Sequence, residues 1–141
     1  MARPAPGLTA ASPGPRRRIS SGGPWEATAG YSRAIVVGDA CWVAGTTDAG
    51  PDGRTTHPDD IGAQTRAVLE IIERALGEAG FDLADVVRTR MFVTDISRSA
   101  DVLSVHGEVF GEIRPAATLV EVSGLIEPTV LIEIEAEARR G

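Results

Sequence analysis

The segment TVLIEIEAEA, Thr129 to Ala138, constrains the fold more than any other part of the chain. It alternates with period two, so Val130, Ile132, Ile134 and Ala136 fall on one face of an extended strand, and Leu131, Glu133, Glu135 and Glu137 fall on the other. The first face demands an apolar cover. The second carries carboxylates that resist burial unless they are paired. Such a strand belongs in a sheet with helices packed on one side only.

Those helices are legible. Between Asp59 and Ala79, residues Ile61, Val68, Leu69, Ile72, Ala75, Leu76 and Ala79 recur at three- and four-residue steps, and Gly80 follows in the favoured C-terminal position. A second helix is predicted over Ser97 to Phe110, with Ala100, Leu103, His106 or Gly107, and Phe110 along its buried side. Ahead of both, SRAIVVGDACWVAGTT gives two apolar runs divided by Gly38-Asp39, which suits a tight antiparallel hairpin. The breaker-rich DAGPDGRTTHPDD is a loop that ends at a helix start with Pro58, Asp59 and Asp60. DVVRTRMFVTD and, after Pro115, AATLVEVSG read as further strands.

The order β-β-α-β-α-β-β predicts a mixed α+β domain over residues 25–141, with two helices on one sheet face. The other face meets solvent or another subunit, and Leu119, Leu131 and Met91 point to a subunit. Residues 1–24, rich in Pro, Gly, Ser and Arg without a period, are read as a flexible arm.

Composition then removes whole classes of chemistry. The net charge is -6 and the dense basic run is Arg16-Arg17-Arg18, so no basic face exists to track phosphates and no nucleic-acid partner is expected. No apolar run approaches the ~20 residues of a membrane span, and the first residues lack the apolar core of a signal peptide. A lone cysteine, Cys41, forms no internal disulfide, and a cytoplasmic location is expected. The chain has no lysine, which excludes Schiff-base chemistry and lysine-anchored pyridoxal phosphate. Neither C-x-x-C nor H-E-x-x-H occurs, and no phosphate-cradling or G-x-S-x-G motif is present, so neither metal nor cofactor is expected.

Taken together, GYSRAIVVGDACWVAGTT, AQTRAVLEIIERALGEAGFDLADVVRTRMFVTDI, RPAATLVEV and LIEIEAEA resemble the Rid family, also called the YjgF/YER057c/UK114 family, in unbroken order from Gly30 to Ala138. The resemblance implies a chorismate-mutase-like fold, a homotrimer and ligand clefts between subunits. It also implies imine or enamine deaminase chemistry, in which 2-aminoacrylate-type compounds are hydrolysed to 2-keto acids and ammonia. Residue by residue, Tyr31 matches the tyrosine lining the cleft, Gly45 the glycine ending the second strand, and Glu133 the acid that positions water.

The deaminase signature P-x-R-[ST] departs from the pattern. Here it reads Pro115-Ala116-Ala117-Thr118, so Ala117 stands in the place of the carboxylate-binding arginine, and Leu119 in that of a nearby cysteine. An unpaired carboxylate in a closed cleft costs roughly 2–5 kcal/mol, or about thirty-fold to several-thousand-fold in binding. Efficient 2-aminoacrylate deamination is therefore not expected. Arg33, Arg90 and Arg114 are either surface arginines or a relocated clamp, with Arg33 favoured because it is two residues from Tyr31 and shares its face on a regular strand.

Other residues have plainer readings. Cys41, Trp42 and Trp25 are read as packing residues, with Trp25 alternatively covering a neighbouring cleft, and His57 as part of the helix start. His106 is read as structural, and Glu121 as a strand residue that pairs with an arginine across a subunit boundary. Three functions remain open: a hydrolase or tautomerase acting through Glu133 and water, a non-catalytic sensor or regulatory protein using the same cleft, and, disfavoured by the acidic balance, an RNA-cleaving protein.

Overall fold

The computed structural model describes residues 16–141. Arg16–Ile19 forms strand β1, Trp25–Ala29 a short helix α1, Ala34–Val37 and Ala40–Thr46 strands β2 and β3, and Ile61–Ala79 helix α2. Val86–Val93 is β4, Ser99–Phe110 is α3, Ala116–Glu121 is β5 and Ile132–Arg139 is β6. The strands make one six-stranded sheet in the order β1-β2-β3-β6-β4-β5. Every pairing is antiparallel except β4 with β5.

Period two in β6 becomes the core. Val130, Ile132, Ile134, Ala136 and Ala138 are buried beneath α2 and α3, while the alternate residues Glu133, Glu135 and Glu137 face the uncovered side. Helix α2 buries the apolar stripe read from its sequence together with Gln64 and Thr65. Asp60 caps its start by accepting from the Ala63 amide, and Gly80 ends it in the left-handed region at φ 86°. Gln64 is fully buried and fully used. Its amide nitrogen donates to the carbonyls of His57 and Thr129 at 3.1 Å each, and its oxygen accepts from the Leu131 amide at 2.9 Å.

Four expectations are corrected. Residues 16–19 of the expected arm are an edge strand, because Ile19 is buried against the core and the Arg17 guanidinium donates to the Ala79 carbonyl at the end of α2; the arm before Arg16 lies outside the described residues. The buried side of α3 runs through Val102, Val105 and Phe110, with Leu103 50% exposed and Ala100 and Gly107 exposed. That stripe is one position off the sequence reading, since valines in a short helix satisfy the same spacing from either register. Met91 is buried in the core and so marks no subunit contact, while Leu119 and Leu131 are partly buried against that core. Trp25 and Trp42, read as packing residues, are 69% and 39% exposed.

Candidate functional site

Strand register maps the uncovered sheet face. One row crosses the sheet from Ile35 through Trp42, Glu137 and Arg88 to Ala116. The next begins at Arg33, whose carbonyl accepts from the Ala44 amide, and continues through Glu135 and Arg90 to Thr118. A third runs from Glu133 through Phe92 to Val120. Between these rows β3 carries a bulge, since Val43 pairs with Ala136 while Thr46 pairs with Ile134, leaving Ala44 and Gly45 opposite a single residue of β6.

The bulge brings Gly45 beneath Glu133. A β-carbon built on Gly45 falls 2.1 Å from the Glu133 Oε2, so the carboxylate occupies the space a side chain would fill. Arg33 completes the group: its Nη2 donates to the Gly45 carbonyl at 2.8 Å, and its Nε is buried without an acceptor. Burial and the neighbouring Glu135 charge raise the Glu133 pKa above the ordinary carboxylate value, with Arg33 opposing them. Burial likewise lowers that of the Arg33 guanidinium, against the charges of Tyr31, Glu26 and Glu133. Tyr31, half-exposed just ahead of β2, stands at the edge of the cluster. Glu133, Gly45, Arg33 and Tyr31 are thus brought together.

Beside this cluster a hollow of about 380 Å³ opens over Ile35, Trp42, Ala44 and Arg88. Arg90 closes one wall by donating to both Glu135 and Glu137 at 3.1 Å, half-exposed pairs that contribute little stability but use up its charge. Arg90 is therefore no free clamp.

The remaining predicted residues lie elsewhere. Ala117, Thr118 and Leu119 are on edge strand β5, separated from β6 by β4. Ala117 and Leu119 pair with the buried Thr89 and Met91 and so face the helix side, opposite to Glu133; Thr118 alone shares the uncovered face, next to Arg90. Arg114 adopts φ 54° and its Nε turns back to the Gly111 carbonyl at 3.0 Å, so it caps the end of α3. Glu121 accepts from the Ile96 amide at 3.0 Å and thereby fixes the turn ahead of α3.

Polar groups that the sequence reading passed over hold the loops around the site. Asp48 is buried and accepts from Thr55 Oγ1 at 2.6 Å and Thr56 Oγ1 at 3.1 Å, and its Oδ2 lies 3.0 Å from His57 Nδ1. His57 is thus a loop tether in addition to preceding α2. Only Asp48's position at the end of an apolar run hinted at burial. His106 Nε2 lies 2.9 Å from the buried Thr89 hydroxyl, its ring against Phe110, and burial lowers its pKa, in keeping with a structural role. Cys41 is fully buried and burial raises its pKa, which makes it a packing residue.

Comparison with known proteins follows the same lines. The sequence pattern of the family described as endoribonuclease L-PSP matches residues 23–140. A Mycobacterium tuberculosis protein, described as a member of the highly conserved YjgF/YER057c/UK114 family, has a crystal structure that is 52% identical and aligns with a TM-score of 0.81, covering 89% of this chain and 100% of that one. An uncharacterized protein of Streptomyces coelicolor is 38% identical over 126 residues, 89% of this chain and 92% of its own. The 3-aminoacrylate deaminase RutC of Acinetobacter baylyi is 36% identical over 108 residues, 77% of this chain and 85% of its own. The chorismate-mutase-like α+β architecture expected from the resemblance is the one observed.

Proposed function

The chain belongs to the endoribonuclease L-PSP family, the YjgF/YER057c/UK114 or Rid family, and on that premise we propose that it binds a small carbonyl, imine or enamine metabolite between the subunits of a homotrimer. The observation that carries this reading is the Glu133 carboxylate seated over Gly45, half-buried and with its pKa raised by burial. In the hydrolytic form of the reading, water adds to the imine carbon as Glu133 accepts its proton. The proton then passes to nitrogen to give a carbinolamine, the carbinolamine's hydroxyl proton is relayed to nitrogen as the C–N bond breaks, and a carbonyl compound and ammonia leave. Tyr31 lines the ligand, and Gly45 makes room for the Glu133 carboxylate that faces it. Needing no metal or cofactor, this chemistry is expected to run in the cytoplasm.

The placement of the two half-sites supports a cleft between copies. Glu133 and the side chains of Ala117 and Leu119 lie on opposite faces of one sheet, so they meet around one ligand only if different copies supply them. In that arrangement Leu119 contacts the far side of the ligand, Thr118 lines the uncovered face beside Arg90, and Ala117 leaves open the space an arginine fills in the deaminase signature. The protein is accordingly a poor 2-aminoacrylate deaminase. The same alanine favours a second reading, a non-catalytic sensor or regulatory protein that binds its ligand without turnover. RNA cleavage is disfavoured, because the two histidines sit in separate elements and His57 and His106 are each engaged by neighbouring side chains.

Ammonia and 2-keto acid release from freshly generated 2-aminoacrylate and from bulkier imines separates these readings. Hydrolysis predicts slow turnover of 2-aminoacrylate, faster turnover of at least one other imine, and loss of about a hundredfold or more in Glu133→Gln. Saturable binding of an imine or carbonyl compound with no turnover across the panel would leave the sensor reading. Activity appearing only in Ala117→Arg would mean the scaffold is competent but the natural site is specialised for another ligand.

A further inference from the structure

We infer that Arg33 is the anion-binding residue of this site, and that the ligand is a carboxylate whose reacting carbon lies between the Arg33 guanidinium and the Glu133 carboxylate. The inference rests on the reading of Glu133 as the acid–base group and assigns the ligand's charged end. Three observations carry it.

First, Arg33 is a half-buried cation without a counter-ion. Among the described residues it makes no ion pair, unlike Arg66 and Arg90. Each carboxylate near it is either occupied or out of contact. Glu26 accepts from the Ser21 amide at 2.8 Å and from the Ser21 hydroxyl, and Glu133 acts on Arg33 through its charge without reaching ion-pair contact. A desolvated charge left unpaired is costly, and folds keep one where a ligand supplies the missing partner.

Second, the guanidinium is held in place without being used up. Nη2 donates to the Gly45 carbonyl, and Nε is sealed from solvent with no acceptor, so the stem and one edge of the fork are fixed. Nη1 makes no hydrogen bond among the described residues, which leaves donors for a carboxylate. Third, the anchor is the residue that also defines the Glu133 position. Arg33 is tied to the carbonyl of Gly45, the residue over which Glu133 sits, so one short stretch of backbone sets the spacing between cation and acid. The other candidates are committed elsewhere, Arg90 to two glutamates and Arg114 to the end of α3.

The placement differs from a clamp at position 117. There the cation would come from β5, whereas Arg33 supplies it from just ahead of β2, beside Glu133 in the same chain. A 2-oxo or 2-imino acid has its carboxylate next to the carbon that water attacks, and held from beside Glu133 rather than from position 117 it is turned differently from a ligand of the deaminase signature, in keeping with slow turnover of 2-aminoacrylate.

Pyruvate, a stable 2-oxo acid, is the probe, with acetone as its uncharged counterpart, titrated calorimetrically into the full chain. Pyruvate should bind saturably and acetone should not. Arg33→Gln should weaken pyruvate at least tenfold, and Arg33→Lys should fall between the two because it keeps the charge but not the fork. Glu133→Gln should tighten pyruvate severalfold by removing a negative neighbour, a result that does not depend on how Arg33 variants fold. Unchanged affinity in Arg33→Gln, equal binding of acetone, no saturable binding of pyruvate, or loss of binding in Arg114→Gln instead would each overturn the assignment. Arg33-dependent binding without turnover of any imine would uphold it while removing the hydrolytic reading. Turnover of imines indifferent to Arg33→Gln would do the reverse.

Discussion

At Gly45 the absence of a side chain decides where Glu133 can sit. The residue does not have a positive φ, so alanine is sterically allowed by the backbone, and the obstacle is the Glu133 carboxylate 2.1 Å from the new methyl. That obstacle is the far end of a flexible side chain, which can swing aside at little cost in stability. Gly45→Ala should therefore leave the melting temperature within about 3 °C of the parent while lowering ligand turnover, or ligand affinity if there is none, by about tenfold or more. Thermal melts run beside the imine assay measure both. An unchanged site in a stable variant would show that the seat of the carboxylate is irrelevant to function. Gly45, Tyr31 and Glu133 were all identifiable before the fold, through the motif that carries the resemblance. The role of Arg33 was only half legible: strand alternation put it on the face of Tyr31, but its sealed Nε and its bond to the Gly45 carbonyl depend on the bulge in β3, and no residue pattern announces that bulge.

Elements whose own sequence sets their period were legible, and those decided by tertiary contact were not. Helix α2 is long enough for its stripe, its Asp60 cap and its Gly80 stop to agree, and β6 alternates without a fault. Strand β1 has no such period. It exists because β2 offers an unpaired edge and because the end of α2 offers the Ala79 carbonyl to Arg17. In α3 an adjacent face satisfied the spacing nearly as well, and packing against α2 decided for Val102 and Val105. Gln64 shows how one polar residue inside a legible helix does work that its position in the apolar stripe does not announce. Its three hydrogen bonds tie α2 to the segments at His57 and Thr129–Leu131, just ahead of β6. Gln64→Leu keeps the volume but leaves buried backbone groups unpaired, so it should cost about 1–3 kcal/mol and lower the melting temperature by about 3–10 °C. A melt within about 1 °C of the parent would mean that those loops re-pair elsewhere.

On the scale of the whole molecule, the sheet separates the two groups of residues on which the proposed site draws. Glu133, Gly45 and Arg33 face away from the helices, whereas Ala117 and Leu119 face them from a strand beyond β4. No single-chain motion short of unfolding the sheet brings the two groups together, because they lie on opposite sides of hydrogen-bonded strands. A site made from both must take one half from each of two copies, and this is testable without knowing the natural ligand. Glu133→Gln lacks the acid but keeps an intact β5, and Ala117→Trp blocks the far half but keeps Glu133. Each alone should be inactive in the imine assay, or non-binding in the pyruvate titration in the case of Ala117→Trp. When equal amounts are unfolded and refolded together, a site receives Glu133 from one variant and an unblocked β5 from the other about one time in four, so about a quarter of the parental turnover should return. The two proteins mixed while folded should recover nothing until subunits exchange. If Ala117→Trp retains full turnover by itself, β5 takes no part in the site, and the ligand is held by the Arg33–Glu133 half alone.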